Sequence, residues 1–167
     1  MKTAGKQSNG FTFIEVVVVM TIMAILAAVA IVTFSNSSSD FQLNAASRKV
    51  ISDVQYAQDL SMTTGNRVKV KFDPDNNRYS LLWADDSPVP NIMGSGNFVV
   101  SFGSGAFKNV EITDTELTGG ILKFDTIGEP FSNATLIFSA TLIVELNHQK
   151  QIYITPYTGK LYAQSGS

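Results

Sequence analysis

The sequence predicts an α+β protein: a long N-terminal helix, transmembrane in its first half and amphipathic in its second, packed on an antiparallel β-sheet head. Three patterns carry that prediction. Val16 to Ser39 is a run of 24 uncharged residues; Phe41 to Leu60 repeats its apolar residues by threes and fours; and from Arg67 onward short alternating stretches are punctuated by glycine and proline. They divide the chain into a basic leader at 1–10, an apolar helix at 11–34, its amphipathic continuation at 35–65 and a β-rich globular head at 66–167.

Composition narrows the chemistry. A length of 167 residues suits one domain of ordinary size. The chain is 44% apolar and 16% charged, against about 25% charged in average soluble domains, and the apolar excess is local to the first segment. With no cysteine and one histidine, a disulfide framework, a thiolate nucleophile and a Cys-ligated zinc are excluded, and little is left for a histidine metal cluster. No metal and no cofactor is expected. A formal charge of −2 also argues against general nucleic-acid binding, which depends on neutralising phosphates with Lys and Arg.

Residues 1–10 carry Lys2 and Lys6 and no acid. Val16 to Phe34 is 19 residues interrupted only by Thr21 and Thr33, enough at about 1.5 Å per residue to cross a hydrocarbon core of about 30 Å. The positive-inside rule puts the lysine end in the cytoplasm and everything after Phe34 outside it. The alternative is a secretory signal. Its apolar region is shorter, about 7 to 15 residues, although AILAAVA has the small residues of a signal cleavage site. Neither a signal nor a plain anchor accounts for Glu15, a carboxylate that costs a few kcal/mol if left unpaired in hydrocarbon. A cut between Gly10 and Phe11 would supply a partner: the new α-ammonium lies about one helical turn away, or is presented by a neighbouring copy.

Gly10-Phe11-Thr12-Phe13-Ile14-Glu15, after a basic leader and before an apolar run, resembles the processing site of type IV pilins and type II secretion pseudopilins. The resemblance implies that 1–10 is a prepilin leader, that a membrane prepilin peptidase cleaves between Gly10 and Phe11, and that the Phe11 amine is methylated. It also implies an assembly role for Glu15, engaging the Phe11 amine of an adjacent subunit as the 11–34 helices form a filament core.

Farther along, Phe41, Leu43, Ala46, Val50, Val54, Ala57 and Leu60 form one helical stripe, with Arg48, Lys49, Asp53 and Asp59 elsewhere around the wheel. The absence of proline before Pro74 allows a nearly continuous helix from Phe11 to about Met62, ended by Gly65; the serine run at 35–39 is a place where it loosens. In the head, RVKVKF at 67–72 alternates Val68, Val70 and Phe72 with Arg67, Lys69 and Lys71, which predicts a half-buried strand with a solvated basic face. Further strands are expected at 78–84, 98–102, 110–117, 121–125, 134–139, 142–146, 151–155 and 160–163. Phe124-Asp125-Thr126-Ile127-Gly128-Glu129-Pro130, and the hairpin phrase from Ile152 to Leu161 with Gly159 in its turn, resemble turns of minor pseudopilins of the GspH/FimT type. Generic β-turns show the same residues. Some members of that family end in basic residues linked to DNA uptake, whereas residues 161–167 carry no charged side chain.

Other candidates are weak. Asp73, Asp75 and Asn77 have calcium-loop spacing, but Arg78 stands where the loop needs Gly and Ala84 where it needs Glu, so a turn is expected. His148 reads as a turn residue, and the two Gly-Ser-Gly segments at 94–96 and 103–105 as loops. Leu81, Leu82 and Trp83 read as core. The expectation is therefore a non-enzymatic minor pilin-like subunit of a type II secretion pseudopilus, anchored once in the bacterial inner membrane with a periplasmic head. Its expected partners are prepilin peptidase, other major and minor pilins or pseudopilins, the inner-membrane assembly platform, and lipid before assembly. A minor pilin of a type IV pilus, with pilus biogenesis and DNA uptake as its work, and a membrane-tethered ligand-binding domain are the alternatives.

Overall fold

A computed structural model describes residues 12–91 and 94–166, with the side chains of 29–38 outside that description. Helix α1 runs Phe13–Thr64, and its backbone is helical through the serines at 35–39. The chain divides into two units, with the boundary between Ser38 and Ser39 inside α1. The helix ends two residues later than expected because the Thr63 and Thr64 hydroxyls donate back to the carbonyls of Asp59 and Leu60 at 2.8 and 2.6 Å. Gly65 then takes the left-handed conformation, φ +66°, as a C-terminal cap requires.

In the second unit, Leu43, Ala46, Val50, Val54 and Ala57 form the buried stripe of α1. Phe41, expected on that stripe, is 75% exposed and stands off the core. Ten strands follow. β1 (Val68–Asp73), β2 (Arg78–Trp83), β3 (Val99–Ser101), β5 (Ile121–Phe124), β6 (Pro130–Ser132) and β7 (Thr135–Leu136) make an antiparallel sheet in the order β3-β2-β1-β5-β6-β7. β4 (Ile112–Asp114), β8 (Thr141–Leu146), β9 (Lys150–Ile154) and β10 (Leu161–Ser165) make a second, in the order β10-β9-β8-β4. The α+β arrangement predicted from the sequence is the one observed.

One core joins the helix to both sheets. Val68, Val70, Phe72, Tyr79, Leu81, Leu122 and Phe124 meet Val144, Leu146, Ile152 and Ile154 in it. Each fully buried side chain of this size contributes about 1.5–3 kcal/mol relative to exposure. A bulge in β8 between Leu142 and Val144 lets Leu142, Ile143 and Val144 all be buried, where strict alternation would expose one. Trp83 and Leu82 are half-buried beside Leu81, with Trp83 packed on this core as expected.

Several strand expectations need correction. The 110–117 stretch is a strand only at Ile112–Asp114, since Thr115, Glu116 and Leu117 leave the ladder and Thr115 Oγ1 instead donates to the Ile143 carbonyl at 2.8 Å. The 134–139 stretch pairs only at Thr135–Leu136, and β6 at Pro130–Ser132 was not expected as a strand. Phe124 pairs with Pro130, so the Phe124–Pro130 phrase is a hairpin that closes directly into pairing.

Candidate assembly site

Of the residues the sequence singles out for processing, Gly10 and Phe11 lie outside the described residues. Glu15 lies within them, in the first turn of α1. The helix starts at Thr12, whose carbonyl accepts from the Glu15 and Val16 N–H groups at 3.1 and 3.3 Å and whose Oγ1 stands 3.4 Å from the Glu15 nitrogen. Thr12 is thus the N-cap and Glu15 the third helical residue, the spacing of a capping box. A carboxylate there is favoured by the positive end of the helix dipole. The T-x-x-E signal was present in the sequence and would have placed the helix start at Thr12.

After that carboxylate the side chains from Val16 to Ala28 are apolar around the whole circumference, apart from Thr21. From Phe13 to Leu26 every large one is exposed, Phe13 at 86% and Val16 at 42%. A helix that is apolar all round needs lipid or other helices as its surroundings. Among the described residues no helix is long and apolar enough to cross a membrane; the expected span Val16–Phe34 falls partly on residues 29–34, whose side chains lie outside the description.

In the second unit the basic row needs correction. Lys69 is only 6% exposed. Its Nζ donates to the Ala84 carbonyl at 2.9 Å and pairs with Asp86 at 2.5 Å, so the 84–87 turn folds over it and its charge is satisfied within the head. Arg67 and Lys71 are exposed. Asp73 accepts from Asn76 and Arg78; the Asn76 side chain, ahead of the Arg78 contacts, holds its carboxyl below the usual range. Asp73 thus caps the short turn Pro74–Asn76, and Asn77 beyond it, at φ +49°, turns its side chain to Val110 and Ile112. His148 lies in the β8–β9 turn with Asn147, both in the left-handed region, and its Nδ1 is 3.1 Å from Glu145. The hydrogen bond from Gln151, ahead of those from His148 and Thr113, lowers the Glu145 pKa.

Two features escaped the sequence reading. Asp53, placed on the polar side of the wheel, is 5% exposed. Its carboxylate accepts from Lys49 Nζ at 2.6 Å and from the Tyr79 hydroxyl at 2.6 Å. Burial, then the Asp53 charge and hydrogen bond, push the Tyr79 pKa well above the usual tyrosine value. Gln58 is the second. Its Nε2 donates to the carbonyls of Gly128 and Thr158, both at 2.9 Å, so one side chain of α1 holds the β5–β6 and β9–β10 turns together. Those are the two phrases noted in the sequence, and their glycines, Gly128 at φ +86° and Gly159 at φ +64°, bring the backbone against Met62 and Gln58.

Residues 5–31 match the family model for the prokaryotic N-terminal methylation motif. The motif supports a type IV pilin-like prepilin. It implies processing by a prepilin peptidase and assembly with other pilins, and it suggests a membrane-anchored subunit. No curated protein and no solved structure matches the chain significantly.

Proposed function

We propose that this chain is a minor subunit of a type II secretion pseudopilus, cleaved between Gly10 and Phe11, methylated at Phe11 and added to the filament through its N-terminal helix. The observation that carries this reading is the methylation motif lying directly on the first part of α1, where the described side chains from Phe13 to Ala28 expose an apolar surface all round apart from Glu15 and Thr21. Its work is assembly rather than catalysis. Before assembly the apolar helix sits in the inner membrane with its leader in the cytoplasm and its head in the periplasm. On assembly it exchanges lipid for neighbouring helices of equal apolarity, so that packing and the pair between Glu15 and a neighbour's Phe11 ammonium decide the outcome.

The pseudopilus is preferred over a type IV pilus for two reasons. Both turn phrases of the head resemble those of minor pseudopilins, and residues 161–167, lacking any charged side chain, offer nothing to the phosphates of incoming DNA. The test is a clean deletion in the native host, scored in the same cultures for secreted proteins trapped in the periplasm and for surface pili. Trapped cargo with normal pili is the expected result. Lost pili with normal secretion would replace this reading with a minor pilin.

A further inference from the structure

Among the described residues the head has four strand edges, and three of them are blunted. β7 has two residues and β3 three. β4 also has three, and the Asn77 side chain covers it, accepting from the Ile112 N–H at 2.8 Å and donating to the Val110 carbonyl at 3.0 Å. β10 is different. It is five residues long, pairs only with β9 among the described residues, and contains no charge, proline or bulge, the usual devices that keep an edge from pairing.

The register tells which backbone groups face outward. The Thr155 N–H donates to the Lys160 carbonyl at 2.9 Å and the Gly166 N–H to the Gln149 carbonyl at 2.7 Å. Because hydrogen-bonded and non-hydrogen-bonded pairs alternate along an antiparallel ladder, Lys160, Tyr162, Gln164 and Gly166 turn their N–H and C=O groups toward β9. Leu161, Ala163 and Ser165 turn theirs away. Only another extended backbone matches donors and acceptors at that spacing.

We propose that β10 pairs antiparallel with β10 of a second copy of this chain, joining two four-stranded sheets into one across a twofold axis at Ala163. Placing Ala163 opposite Ala163 sets Leu161 opposite Ser165 in each direction, so every outward N–H meets an outward carbonyl. The strand is uncharged, so no like charges face each other. The symmetric pairing consumes both edges and therefore closes rather than propagating. This inference rests on the head alone and is independent of the N-terminal motif.

The absence of native cysteine makes the test clean. Ala163→Cys, in the full chain in native membranes under mild oxidation, places two sulfurs on strands about 5.5 Å apart at Cα, within disulfide reach. The expected result is a covalent homodimer at least tenfold more abundant than with Thr135→Cys on the β7 edge. Ala163→Pro removes one outward N–H and leaves the β9 ladder intact; it should convert the detergent-solubilised dimer to monomer in sedimentation without lowering the melting temperature appreciably. Homodimer no more abundant than the Thr135→Cys control would overturn the proposal. So would a mixed disulfide with another protein alone, or a folded Ala163→Pro chain that still dimerises. Should the proline variant unfold, the cysteine comparison decides.

Discussion

Asp53 shows how a single residue ties the helix to the sheet. Its buried carboxylate is acceptable because Lys49 and Tyr79 both donate to it, and an unpaired charge in that position would be strongly destabilising. Tyr79→Phe removes one of the two donors to Asp53 Oδ2, with Lys49 Nζ remaining at 2.7 Å, and should cost about 1–3 kcal/mol, read as a lower urea midpoint. The pH dependence follows from the raised Tyr79 pKa. The folded state holds the phenol proton more tightly than the unfolded chain, so this contribution is complete below the usual tyrosine value of about 10 and is lost as pH rises above it. Stability of the native chain should therefore fall more steeply above about pH 10 than that of Tyr79→Phe; equal alkaline slopes would contradict the assignment. Asp53 and Lys69 were misread for a common reason. A helical wheel or strand alternation assigns a face, whereas burial of those two side chains depends on Tyr79 and Asp86, which arrive from distant segments. Gly65 was legible because its role is local, and the spacing of Thr12 to Glu15 carried the helix start although it was not read.

Among the elements, the decisive one is the C-terminal part of α1 with the two turns clasped by Gln58. Gln58→Ala removes two hydrogen bonds and should cost roughly 1–3 kcal/mol in total, with faster hydrogen exchange in both the β5–β6 and β9–β10 turns. Gly159→Ala should cost more: its left-handed backbone alone disfavours alanine by roughly 1–2 kcal/mol, and the new Cβ would stand 2.5 Å from Gln58 Nε2. In a double-mutant cycle the alanine at 159 should become cheaper once Gln58 is removed, but not free; strict additivity would mean that the turn does not rest on Gln58. The buried stripe of α1 and strands β1, β2, β8 and β9 were legible because hydrophobic period and turn residues agree there. β6 was not, because Pro130 reads as the end of a turn, and the sequence does not reveal that Phe124 pairs straight across to it. Thr115 was read within a strand because its β-propensity is sound, while its hydroxyl bond to Ile143 is tertiary.

For the whole molecule, the proposed subunit works through its N-terminal motif and presents its head. Glu15→Ala leaves the helix and head intact but removes the only carboxylate in the first turn, so the full chain should lose co-purification with partner pilin-like subunits while still reaching the membrane. Undiminished recovery would favour a simple tether. The most direct measurement is the intact mass and N-terminal sequence of the chain purified from cells with and without an active prepilin peptidase. With the peptidase, the chain should begin at Phe11 and carry one methyl group on its amine; without it, residues 1–10 should remain. A chain that keeps its first ten residues in both strains, or one cut within AILAAVA, would contradict prepilin processing between Gly10 and Phe11.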